Sequence, residues 1–145
     1  MIKKLFAVTL LLISSLSFAA DPVHTGLFSD VAIDGYDAVA YFTESKPVKG
    51  LKQHTLDWNG VEWRFASSEN KTLFQQNPEK YAPQYGGYCA FAVAHNSLAA
   101  GDPQQWHIEN GKLYLNLNAG IQQKWLSDKD AFIPLADSYF PGLIN

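Results

Sequence analysis

The chain has 145 residues, 14% aromatic and 17% charged, with a formal charge of −3, four histidines, one cysteine and one methionine. That is enough for one well-packed domain and too little for two of ordinary size. The acidic balance, with no basic run after Lys3-Lys4, excludes nucleic acid and anionic membrane surfaces as natural partners, and a single cysteine excludes an internal disulfide framework.

The first element is a leader. Lys3 and Lys4 open it, Leu5 to Leu16 form its apolar centre, and Ser17 and Ala19 put small residues where a signal peptidase reads. The expectation is a secretory signal over residues 1–19, cleaved between Ala19 and Ala20, and a single domain over residues 20–145. The apolar stretch is short for a bilayer span, so no stable membrane insertion is expected. The protein then belongs in the periplasm or outside the cell. Removing two lysines and no acidic residue takes the charge from −3 to −5. Met1 leaves too, so Cys89 becomes the only sulfur.

Along the remaining chain, residues 20–32 read as a lead-in. Asp34-Gly35-Tyr36-Asp37 reads as a turn, Ala38 to Phe42 as a short strand, and Ser45 to Gly50 as a polar loop. Gln53 to Trp58 and Val61 to Ala66 flank Asn59-Gly60, a strong hairpin signal because both central residues tolerate positive φ. Ser67 or Ser68 caps a helix running to about Gln76, with Glu69 in its first turn. Asn77-Pro78 ends it, and Pro78 to Tyr81 makes a further helical turn. Residues 88–95 suit strand or helix; their alanines favour helix.

A second hairpin turns at Asn110-Gly111, between Trp106–Glu109 and Lys112–Leu117. Its return strand alternates Leu113, Leu115 and Leu117 against Lys112, Tyr114 and Asn116, the pattern of a half-buried strand. Asn118 caps a helix carrying Ile121 and Trp125 on one face. The last helical piece, about Asp128 to Asp137, contains Pro134 and is expected to be short or kinked. No internal repeat is read; the two hairpins differ too much to be taken for copies. The fold class is α+β, a small antiparallel sheet built from two Asn-Gly hairpins with short helices packed on it.

The chemistry centres on Cys89, in Gly86-Gly87-Tyr88-Cys89-Ala90. An unpaired thiol in an oxidising compartment is a buried packing residue, half of an intermolecular disulfide, or a ligand or reactive group. If residues 88–95 are helical, Cys89 lies in the first turn. His95 is too far along a strand, and points differently on a helix, to share a metal with it. His54 and His107 each precede a hairpin turn and could reach Cys89 only through the fold. Asp37 is either a turn residue or a carboxylate facing a pocket near Cys89. The candidate metal or ligand residues are therefore Cys89, His54, His107, His95 and Asp37.

Three stretches together resemble exported bacterial YHS-domain proteins: Gly35-Tyr36-Asp37-Ala38-Val39-Ala40-Tyr41-Phe42, Trp58-Asn59-Gly60 with Trp63-Arg64-Phe65-Ala66-Ser67, and Asn77-Pro78-Glu79-Lys80-Tyr81-Ala82-Pro83-Gln84-Tyr85-Gly86-Gly87-Tyr88-Cys89-Ala90. Gly111 to Asn116 completes the likeness. The resemblance implies a small α+β module. Many such modules sit in metal-handling proteins whose cysteines follow the central strand. Here that stretch is Phe65-Ala66-Ser67-Ser68-Glu69-Asn70, without cysteine. The resulting expectation is a non-catalytic periplasmic binding protein for a soft or borderline metal such as copper, with Cys89 as key ligand. The alternatives are a thiol-based redox or hydrolytic enzyme using Cys89, and an aromatic-surface module that binds another exported protein.

Overall fold

The computed structural model describes residues 19–145, and the expected leader, apart from Ala19, lies outside the described residues. The class is α+β, as expected. Two antiparallel hairpins, β1 (Leu51–Trp58) with β2 (Val61–Phe65) and β3 (Asp102–Glu109) with β4 (Lys112–Asn116), form separate two-stranded sheets. Among the described residues, six α-helices cover them: α1 (Ala40–Thr43), α2 (Ser68–Gln76), α3 (Pro78–Tyr81), α4 (Ala90–Ala94), α5 (Ala119–Ser127) and α6 (Lys129–Leu143). Both hairpins turn as the Asn-Gly pairs dictate, with φ of 51° and 77° at Asn59-Gly60 and 50° and 73° at Asn110-Gly111. Both caps fall as read. Ser67 Oγ accepts the Asn70 N–H at 3.1 Å and Asn118 Oδ1 accepts the Ile121 N–H at 2.9 Å, each satisfying an orphan donor of the first turn.

The chain is built twice from one pattern, contrary to the reading of no repeat. A left-handed 3₁₀ turn (Ile33–Gly35, then Gln84–Gly87) leads into a short helix, an Asn-Gly hairpin, a capped nine-residue helix and a further helix. The residues with positive φ among those described fall into six pairs: Ile33/Tyr85, Asp34/Gly86, Gly35/Gly87, Ser45/Asn96, Asn59/Asn110 and Gly60/Gly111. The strand registers match at an offset of 51 residues. Trp58↔Val61 corresponds to Glu109↔Lys112 and Leu51↔Phe65 to Asp102↔Asn116, with the same irregularity between. The Asp37 N–H bonds Val48 O at 2.8 Å, and its counterpart, the Cys89 N–H, bonds Ala99 O at 2.9 Å. Sequence hides this repeat because the copies keep turn and cap positions while their buried residues diverge. Trp63, Phe65 and Phe74 become Tyr114, Asn116 and Trp125.

The two copies bury different faces. In the first, Trp63, Phe65 and Phe74 stack as the centre of one core, with Trp63–Phe74 centroids 4.9 Å apart and Phe65–Phe74 5.1 Å apart. Glu62 and Arg64, on the other face of β2, pair with each other at 2.6 Å. Their counterparts Leu113 and Leu115 are buried against that first core. The opposite face of β4 carries Tyr114, which packs with Trp125 and α4 in a second core. β4 is thus buried on both sides rather than half-buried, and Leu117, read with its inward leucines, is exposed.

Two further expectations are corrected. Ala38 to Phe42 is not a strand: α1 begins there, headed by the Asp37 carboxylate on the Val39 and Ala40 N–H groups. A short apolar run buried on all sides carries no periodicity to separate strand from helix. The last helix is one 15-residue element that continues through Pro134 and Pro141. Phe132, Ile133, Ala136 and Phe140 pin it to the second core, and that burial outweighs the hydrogen bonds the prolines remove.

Candidate functional site

Cys89 follows the Gly86-Gly87 bend and immediately precedes α4; the segment is helical as read, but Cys89 is the N-cap and not a residue of the first turn. It is 1% exposed. Its thiol donates to Asn116 Oδ1 at 3.6 Å, and the same oxygen accepts the Phe91 N–H at 3.1 Å. Asn116, fully buried at the end of β4, thereby ties the head of α4 to the sheet. Its Nδ2 has no partner among the described residues. In the first copy this task belongs to Asp37, the positional counterpart of Cys89. Asp37 is fully buried, and its carboxylate accepts from the N–H of Val39 at 2.8 Å, Ala40 at 3.3 Å and Ala66 at 2.8 Å, and from Asn70 Nδ2 at 2.7 Å. Both residues sit where a short helix is joined to a hairpin, and both direct their polar atoms inward.

The histidines are held elsewhere. His107 Nε2 lies 2.8 Å from Glu109 Oε2, with Lys129 Nζ 3.6 Å from that oxygen. The hydrogen bond from His107, reinforced by Lys129, holds the Glu109 carboxyl below the usual carboxylate range. His95, exposed at the end of α4, contacts Phe91 O through Nδ1 at 2.7 Å and stacks on Phe91. His54 is partly buried on β1. Among the described residues, no group of three or more His, Cys, Asp or Glu is arranged to hold a metal ion. The five residues singled out in the sequence therefore do not form one cluster.

A concave surface lies where the first copy meets the second copy's 3₁₀ turn and α6. Two hollows, about 340 Å³ and 250 Å³, share Trp58, Ala82, Pro83 and Phe140 as a common wall. Glu79, Gln84, Tyr85 and Asp137 line the first, and Pro22, Val23, Asn59 and Trp63 contribute to the second. Trp58 enters from the tip of the first hairpin, braced edge-on against Trp63 and Phe74. Tyr85 enters from the second copy's 3₁₀ turn at φ 56°, ψ 34°, a left-handed conformation costly for a bulky residue. What holds it is its hydroxyl, which donates to Asp137 Oδ1 at 2.8 Å, and its ring, which packs on Phe140 at 5.6 Å. Burial first, then the neighbouring Asp137 carboxylate, raises the Tyr85 pKa well above the ordinary phenol value.

Sequence reasoning did not single out Asn116, Trp58, Tyr85, Glu79, Asp137 or Phe140. Strand alternation put Asn116 on the face of Tyr114, which was the one signal for it. The cleft residues are brought together from positions up to about 80 apart, and no local pattern marks them.

Comparison with curated proteins and with solved structures gives no match. A protein-family model does match: the YHS domain, over residues 39–85. That span runs from the head of α1 through the first hairpin and α3 to Tyr85, and so covers most of the first structural copy. Residues 39–85 match the YHS domain, and the chain continues into a second copy of the same backbone pattern.

Proposed function

We propose that this protein is a non-catalytic binding protein that takes a small ligand with an apolar body in the cleft between its two copies and α6. The observation that carries the reading is the convergence of Trp58, Tyr85 and Phe140 on one hollow of about 340 Å³, with Glu79, Gln84 and Asp137 on its rim. Aromatic walls with a few polar groups are the make-up of small-molecule sites, and the volume falls within their usual range. The test is an NMR titration with small aromatic compounds of positive, zero and negative charge. Amide shifts clustered on Trp58, Tyr85 and Phe140 support the cleft; no shifts, or shifts scattered over the surface, overturn it.

The second reading is soft-metal handling, copper in particular, through Cys89. It rests on the YHS match and on the thiol–amide pair with Asn116. A sulfur 1% exposed must be uncovered before it can bond to an ion, so this reading requires α4 to lift from β4. Titration with Cu(I) followed by mass spectrometry tests it: one tightly bound ion lost in Cys89→Ala supports it, and no binding by the folded protein refutes it. We further assign the protein to the periplasm or the exterior, on the leader pattern of residues 1–19. The mass of the protein recovered outside the cytoplasm tests this, with Ala20 as the expected first residue.

A further inference from the structure

We propose that the cleft's ligand is an organic cation, an ammonium group carried on an apolar body; this deepens the cleft reading and rests on it. Among the described residues, the lining of the two hollows contains two carboxylates, Glu79 and Asp137, and no lysine, arginine or histidine. Lys80, next to Glu79 in the chain, has its Nζ 5.1 Å from the centroid of the Tyr81 ring, a residue absent from the cleft lining. The negative side of the cleft is thus uncompensated by its own wall. Asp137 engages the Tyr85 hydroxyl through Oδ1, which leaves Oδ2 for a charged donor. Trp58, Tyr85 and Phe140 line the same space, and an aromatic ring attracts a cation placed over its face, tryptophan most strongly. Carboxylates at the rim and rings on the walls distinguish a cation from a neutral molecule of equal shape and repel an anion.

The arrangement also explains why Asp137, itself exposed on α6, is held in place. The Tyr85 hydroxyl fixes it, and the left-handed bend fixes Tyr85. A carboxylate already oriented loses less freedom when a ligand arrives.

The experiment uses the purified protein, benzyltrimethylammonium, its uncharged isostere neopentylbenzene, and phenylacetate, with dissociation constants from NMR shifts and tryptophan fluorescence. The expected result is binding of the ammonium compound at least tenfold tighter than the isostere, no binding of phenylacetate, and weakening as salt is raised. Asp137→Asn, which keeps an oxygen for the Tyr85 hydroxyl, is expected to weaken the ammonium compound at least fivefold and leave the isostere unchanged. Glu79→Gln, on the exposed rim, is expected to weaken it at least twofold. Equal binding of cation and isostere at the cleft overturns the charge assignment and leaves the cleft reading standing. Binding of none of the three overturns both.

Discussion

Asp37 tests the structural logic of the first copy most directly. Its buried carboxylate collects four donors, two of them backbone N–H groups at the head of α1. In Asp37→Asn one oxygen can still serve Val39 and Ala40. The other becomes an NH₂ group facing the Ala66 N–H and the Asn70 amide, donor against donor. Two hydrogen bonds to a charged acceptor are lost, at about 1.5–3 kcal/mol each, so a loss of about 3–6 kcal/mol is expected. With total stability on the order of 5–15 kcal/mol, this variant sits near the edge of folding, its Tm lowered by roughly 12–24 °C at about 4 °C per kcal/mol. Urea unfolding followed by tryptophan fluorescence measures it. The double variant Asp37→Asn/Asn70→Asp restores a donor–acceptor pair across the 2.7 Å contact and is expected to regain at least about 1 kcal/mol, a coupling a double-mutant cycle isolates. A loss below about 1 kcal/mol in the single variant, or no recovery in the double, refutes this account of the α1–hairpin junction.

Four other outcomes are expected. Cys89 in the folded protein resists iodoacetamide and reacts on denaturation, and Cys89→Ala loses about 1–2 kcal/mol by chemical denaturation, the range for deleting a small buried group; rapid native alkylation contradicts the sealed site. Gly86→Ala loses about 2 kcal/mol or more in the same assay, because its Cβ would stand 1.9 Å from Pro22 O at φ +61°, whereas Asp34→Gly at the matching position of the first copy changes stability by less than about 1 kcal/mol. Burial raises the Tyr114 pKa to about 12 and raises Tyr85 as well, so their stabilising contribution is complete below the free phenol value near 10 and lost as pH rises above it; Tyr114→Phe flattens the alkaline limb of a stability–pH curve. Burial lowers the His24 pKa, partly opposed by Asp34, so its contribution is complete above about 6.5 and lost as pH falls below it, a slope that His24→Gln removes.

Much of this was legible residue by residue. Asn59-Gly60 and Asn110-Gly111 specify hairpins because few other pairs accept two positive φ values in succession. Ser67 and Asn118 specify helix starts because their side chains reach the third amide on. Those signals act within four residues of themselves, and each was realised. Their spacing, 51 residues in both cases, held the repeat in plain view, but the core side chains between them do not repeat and masked it.

What the sequence by itself determined was therefore local: turns, caps, an α+β class, and a YHS-like first half. The tertiary structure alone decided the rest. It seats Leu113 and Leu115 on the first core, which buries β4 on both faces, and it closes α4 over the Cys89 sulfur against Asn116. It also carries α6 across the molecule so that Phe140 and Asp137 meet Trp58 and Tyr85. Such contacts arise from burying apolar surface between segments far apart in the chain, a non-directional force that leaves no periodic trace at any one of them.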